Sequence, residues 1–239
     1  MTKRDLILVA LSSFLMIETI LIVVLIDNQV RTTDLLVNAV EYKSRLERIQ
    51  GLDTVYFRLL YVQPRVGEYA PLPILVSNSD YMRYRDQLRQ NLTIRFDTLN
   101  YSVYITPNDP IVKEIAKRLH EGFADPKDYA QAVLDVVHQT FYYAPVDRNW
   151  YMKYPVETLT EGSGLCAHLS ALAASMLKAE GLDVVLIVYY NPDPKQAGHM
   201  NVGINLPNPP YAGAEYLEHK GKKYYVAETT NYLFTEDNS

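Results

Sequence analysis

A chain of 239 residues, 48% of them hydrophobic, has room for one ordinary domain with accessory parts. Its formal charge of -5 gives it no general basic character, which argues against nucleic acid as a partner. A single cysteine, Cys166, excludes an intramolecular disulfide and leaves two fates for that residue, a small buried hydrophobe or a reactive thiol.

In chain order, the first signal is Leu6 to Ile26, nearly continuous apolar sequence. At ~1.5 Å per residue it is long enough to cross the ~30 Å hydrocarbon layer of a bilayer. Lys3 and Arg4 precede it and Asp27 follows. The positive-inside tendency therefore puts the N-terminus in the cytoplasm and the remainder outside, at the cell membrane. A cleavable signal peptide is the rival, but no clear small-x-small cleavage site follows, which favours an uncleaved signal anchor over residues 1–28. Glu18, midway along the span, is costly if charged and facing lipid. It is either a tolerated neutral acid or a point where copies associate into a homo-oligomer. Asn91-Leu-Thr93 and Asn100-Tyr-Ser102 have the form of N-glycosylation acceptors, in keeping with an outside location.

Residues 29–63 carry a helical pattern, with Leu36, Val40, Leu46, Ile49 and Val55 on a broad apolar stripe, and are expected to form a juxtamembrane stalk. Pro64, Gly67, Pro71 and Pro73 then break helix, so residues 64–108 are read as an irregular linker containing some strand. Within it, Tyr81-Met-Arg-Tyr-Arg85 is expected to be a solvated face. Ile94 to Ile105 alternates enough for a strand or hairpin arm.

From residue 109 to 239 the punctuation is clearer. Asp109-Pro110 and Asp125-Pro126 each read as an N-cap followed by proline at the first helical position. His120 and His138 fall on these helices and are expected to be surface or helix-end residues. Cys166 to Glu180, rich in Ala and Leu and ended by Gly181, should be the central buried helix. Leu182 to Tyr190 and His199 to Leu206 read as strands, and Glu215 to Glu228 as a hairpin turning near Lys220-Gly221. Helices followed by antiparallel strands make an α+β domain.

The chemistry centres on Glu161-Gly-Ser-Gly-Leu-Cys-Ala-His-Leu-Ser170, where a small-residue turn runs into the apolar helix. His199 opens one later strand and Glu228 closes another. A helix N-terminus stabilises negative sulfur, an imidazole accepts its proton and an acid orients the imidazole. This arrangement predicts a Cys166 pKa well below the ~8.5 of a free thiol. Backbone N–H groups near Cys166 would supply an oxyanion site, and Gly162 and Gly164 would let a substrate backbone approach. Tyr143 and Trp150 are further substrate-side candidates, and His168 is a candidate rim residue. A zinc site built from Cys166, His168, His199 and Glu228 is the rival, but Cys-x-His on one helix start is poor ligand spacing and no second cysteine supports it. No metal or cofactor is expected.

Tyr154-Pro-Val-Glu-Thr-Leu and the segment through Leu177, with Gly198-His199 and Tyr225-Val-Ala-Glu-Thr-Thr230, resemble the transglutaminase-like cysteine-enzyme superfamily, in its prokaryotic membrane-anchored form. The resemblance covers roughly residues 109–235 and implies a papain-like core of helices packed on an antiparallel sheet. It implies a Cys166–His199–Glu228 triad acting on protein or peptide amides, as peptidase, amidase or transamidase. Many relatives place acidic residues beside the cysteine, whereas here the neighbours are Leu165, Ala167 and His168. The alternative is a non-catalytic surface module that keeps the fold for binding or assembly.

Overall fold

A computed structural model describes residues 55–65, 68–87, 100–142, 151–190 and 198–230. The expected membrane span with Glu18, the stalk up to residue 54, the Asn91 triplet, Tyr143 and Trp150 lie outside the described residues. Among the described residues no helix is long and apolar enough to cross a membrane.

The fold is α+β. Strands β1 (Val55–Arg65) and β2 (Glu68–Ser77) form an antiparallel pair, followed by helix α1 (Asn78–Arg85). Helices α2 (Pro110–Gly122) and α3 (Pro126–His138) come next, then the two-residue strand β3 (Phe141–Tyr142). Helix α4 (Pro155–Glu161), strand β4 (Ser163–Gly164) and helix α5 (Cys166–Ala179) lead into β5 (Val184–Tyr189), β6 (His199–Ile204), β7 (Tyr216–His219) and β8 (Lys222–Ala227). The last four strands make an antiparallel sheet in the order β5-β6-β8-β7.

Local signals account for the helix starts. Asp109 Oδ1 accepts from the N–H groups of Ile111 and Val112, and Asp125 Oδ1 does the same for Lys127 and Asp128. Each satisfies orphan donors of a first turn whose leading residue is proline. Every residue of α5 from Cys166 to Leu177 is buried. The helix packs against α2, α3 and α4 and against β5 and β6. Its small Ala and Ser positions let those elements approach from all directions.

Upstream of residue 109 the structure departs from the stalk and linker expected from sequence. Val55–Arg65 is a strand, and Leu60 and Val62 from β1, with Leu72, Ile74 and Val76 from β2, belong to the same buried core as α2 to α5. Their alternation is the period of a strand with one covered face. In the segment Tyr81–Arg85 the residues Met82, Arg83 and Arg85 are exposed, as expected of a solvated face, while the two tyrosines are tied to the domain. Tyr84 is buried and donates to Asp109 Oδ2 at 2.6 Å, beside the Arg83 contact at 3.1 Å, while the Tyr81 hydroxyl donates to Glu161 at 2.8 Å. The expected strand ending at Ile105 is replaced over Tyr101–Tyr104 by a 3-10 turn, with Tyr101 and Tyr104 buried. The buried core therefore extends back to β1.

This has a measurable consequence. Leu60, Val62, Leu72, Ile74, Val76 and Tyr84 are buried side chains that a fragment 109–239 would lack. At ~1.5–3 kcal/mol each, their loss rivals the whole ~5–15 kcal/mol of a typical domain. Residues 52–239 should show a cooperative thermal transition and residues 109–239 should show none by near-UV circular dichroism. A sharp transition in the shorter fragment would show that the hairpin is an appendage.

Candidate active site

The nucleophile turn is held from behind. Helix α4 begins at Pro155, with Glu157 Oε2 accepting the Tyr154 N–H at 2.9 Å, and it ends at Gly162, whose φ of 66° suits glycine. Glu161 is gripped by Lys153 at 2.6 Å and by Tyr81, with Arg85 at 3.7 Å. Burial would raise the Glu161 carboxyl, yet these cations and the hydroxyl hold it below the usual carboxylate range. The Arg58 guanidinium, from β1, donates to Leu159 O and Gln139 O. A Cβ on Gly162 would meet that guanidinium at 3.0 Å, and a Cβ on Gly164 would meet His168 Cβ at 2.9 Å. These glycines thus permit close internal approaches, by Arg58 and by His168, that sequence reasoning did not find.

His168 is likewise not at a rim. It is 2% exposed, its Nδ1 accepts the Leu165 N–H at 3.0 Å and its Nε2 lies 3.0 Å from Tyr151 O. Since a carbonyl only accepts, Nε2 carries the proton. Both ring nitrogens are committed to the backbone around the start of α5, which removes His168 from a zinc set in this arrangement. Among the described residues no cluster of three or more His, Cys, Asp and Glu side chains is arranged to hold a metal ion.

Cys166 opens α5 and is 6% exposed. Burial pushes its thiol up from the ordinary range, more than the backbone N–H groups of Met200 and Ala167 bring it down, and the Glu228 charge adds to the rise. The expectation of a depressed pKa is therefore corrected. The helix N-terminus and the Met200 N–H do favour the thiolate, but desolvation of the charged sulfur outweighs them. The resting sulfur is a thiol that needs a base at the moment of attack.

His199 and Glu228 come together because β6 and β8 are antiparallel neighbours, with Val202 opposite Ala227. His199 Nε2 lies 2.9 Å from Glu228 Oε2. The other carboxylate oxygen accepts from Thr230 twice, from N–H at 2.8 Å and from the hydroxyl at 2.6 Å. Burial works against the Glu228 charge, but the Thr230 and His199 bonds prevail and keep the carboxyl below its usual value. Tyr189, opposite His199 on β5, has its ring centroid 6.0 Å from the imidazole.

Sequence reasoning missed His138 as a neighbour of this site. It is the helix-end residue expected, the last of α3, and its Nε2 donates to the Glu228 carbonyl at 3.0 Å. Burial lowers its pKa, against the opposing pull of that carbonyl and of Asp135 and Glu228. A folded value below the unfolded ~6.5 means that the unfolded chain binds the proton first. His138 thus contributes stability above pH ~6.5 that is lost as pH falls through the folded value, by at most ~1.4 kcal/mol per pH unit. Urea midpoints should drop between pH 7.5 and 5.5, and His138→Gln, which keeps a donor, should flatten that drop. An unchanged slope in the variant would assign the acid sensitivity elsewhere.

Residues 113–229, which include Cys166, His199 and Glu228, match the transglutaminase-like superfamily. No curated protein matches the chain. A solved structure titled "Crystal structure of a TGase" aligns at 14% identity with a TM-score of 0.35, over 82% of this chain and 48% of that one. The chain thus spans about half the length of that protein.

Proposed function

We propose, from a chain that carries a transglutaminase-like domain over residues 113–229, that this protein is a thiol enzyme acting on amide bonds through Cys166, His199 and Glu228. The observation that carries the reading is the 2.9 Å pair between His199 Nε2 and Glu228 Oε2. A carboxylate that accepts from Nε2–H leaves Nδ1 unprotonated, the form in which an imidazole can act as a base. Cys166 stands at the start of the helix packed against the strand that His199 opens.

In the first step the Cys166 sulfur forms a bond to the amide carbon while its proton passes to His199 Nδ1. The carbonyl oxygen becomes an oxyanion, stabilised by N–H groups in the first turn of α5. Cleavage of the C–N bond returns the oxygen to a carbonyl, and the proton on His199 goes to the departing amine. Water or a second amine then attacks the thioester, His199 takes its proton, and the thiol is restored. Hydrolysis and transamidation share every group named here. They differ in how much water reaches the thioester. The N-terminal apolar run supports a single-pass anchor with the domain outside the cell, and Glu18 supports association between copies within the bilayer. Carbonate-resistant sedimentation of the full chain with membranes tests the anchor, and crosslinking of Glu18→Leu in membranes tests the association.

The enzymatic test is release of ammonia or amine from a panel of glutamine peptides and peptide amides, with and without an added primary amine. Native protein should turn over at least one, and Cys166→Ser should turn over none while unfolding at a similar temperature, because the two side chains are close in size. The second reading, a binding or assembly module, is favoured by the 6% exposure of Cys166. A native protein inert across the panel, or a Cys166→Ser protein as active as native, leaves that reading in place.

A further inference from the structure

The three candidate catalytic residues stand on three different elements, and something must hold those elements in register. Ser170 lies one turn after Cys166 on the same face of α5. Its Oγ donates to Met200 O at 2.9 Å and lies 2.9 Å from Thr229 Oγ1. Met200 follows His199 directly, and Thr229 follows Glu228. Ser170, Met200 and Thr229 are all 0% exposed.

The direction of the chain follows from proton counting. A serine hydroxyl has one proton, and the Met200 carbonyl can only accept, so Ser170 gives its proton to Met200. Toward Thr229 it can then only accept, and Thr229 must donate. The order is Thr229 O–H to Ser170 O–H to Met200 C=O. The same Met200 presents its N–H to the Cys166 sulfur. One residue is thus held by Ser170 through its carbonyl while it faces the nucleophile through its amide.

We propose that Ser170 and Thr229 are positioning residues, a buried hydroxyl relay that sets the spacing of the Cys166 helix, the His199 strand and the Glu228 strand. The proposal rests on the thiol-enzyme reading. Neither hydroxyl touches substrate. Their role is to hold Met200 and the end of β8 so that His199 meets the thiol, and displacements of order 1 Å at a reacting pair cost up to ~10²-fold in rate.

Thr229→Val is the decisive variant, since valine nearly matches threonine in shape and lacks only the proton to donate. The probe is iodoacetamide, with the rate of Cys166 alkylation followed from pH 6 to 10 in native protein, His199→Ala, Thr229→Val, Thr229→Ser and Ser170→Ala. The expected result is a native rate at pH 7 above that of His199→Ala, a loss of about 10-fold or more of that excess in Thr229→Val and Ser170→Ala, and its return in Thr229→Ser. The variants should converge with native at high pH, where the thiol ionises without help. A Thr229→Val protein with a lower unfolding temperature but the native pH profile shows a purely structural hydroxyl and overturns the proposal alone. A native rate equal to that of His199→Ala at every pH overturns the thiol-enzyme reading and this proposal together.

Discussion

His199→Ala should lower the rate of acyl transfer to Cys166 by ~10²- to 10⁴-fold at pH 7, the range that a positioned general base contributes. The size of the effect follows from the state of the sulfur. Burial pushes the thiol up, so little thiolate stands ready at neutral pH, and attack depends on a base that takes the proton as the S–C bond forms. Alanine at 199 takes away the base that the proposed mechanism assigns to that proton. The pH dependence has a definite sign. Raising the pH past the thiol's own pKa ionises the sulfur directly, so the variant should gain rate with pH and approach native. Single-turnover release of ammonia or amine, measured from pH 6 to 10 on the best substrate of the panel, gives both numbers. A variant within a factor of two of native at pH 7 would remove His199 from the chemistry. A constant gap at all pH values would mean that His199 acts on the oxyanion or on substrate binding, and not as the base.

The parts of this arrangement that were legible in sequence are those fixed by neighbours along the chain. Asp109-Pro110 and Asp125-Pro126 mark helix starts because the caps and the rigid φ of proline act within three residues. The turn at Lys220-Gly221 is legible because both residues take positive φ, 51° and 75°, a need that Gly meets without strain. The β1–β2 pair was hidden by its own residues. Pro71 and Pro73 read as breakers, yet each lies within β2 opposite Tyr61 and Leu59 in a two-stranded sheet, where the outer edge of β2 meets no further strand and a missing N–H is tolerated. The supporting cast of the site was hidden for another reason. Arg58 reaches a carbonyl 101 positions away, and Ser170 meets a hydroxyl 59 positions away. No local pattern encodes such partners. The rise in the Cys166 pKa escaped in the same way, since a helix start is visible in sequence and the desolvation of the sulfur is a property of the packed core.

Glu228→Gln should cost ~10²- to 10⁴-fold in turnover while leaving alkylation at high pH near native, because it changes which tautomer His199 adopts. In the native arrangement Oε1 is saturated by the Thr230 N–H and hydroxyl, and Oε2 receives the proton on His199 Nε2. A glutamine keeps its carbonyl oxygen where Thr230 donates, since both Thr230 groups need an acceptor. Its NH₂ is then turned toward His199 Nε2. Two donors cannot share that line, so the imidazole proton moves to Nδ1 and the lone pair to Nε2. A ring with a proton on Nδ1 cannot take one from Cys166. Glu228→Asp retains the charge and both acceptor sites on a shorter stem, so it should recover part of the loss. Thr230→Val removes the hydroxyl and leaves the backbone N–H as the one donor to Oε1, so in Glu228→Gln it should loosen the hold on the carbonyl oxygen, let the amide turn over in part and restore some activity. If Glu228→Gln retains native turnover, Glu228 is only a strand-end acid that happens to meet an imidazole. If Thr230→Val deepens the loss in Glu228→Gln, the tautomer argument is wrong and the charge of the carboxylate is what His199 requires.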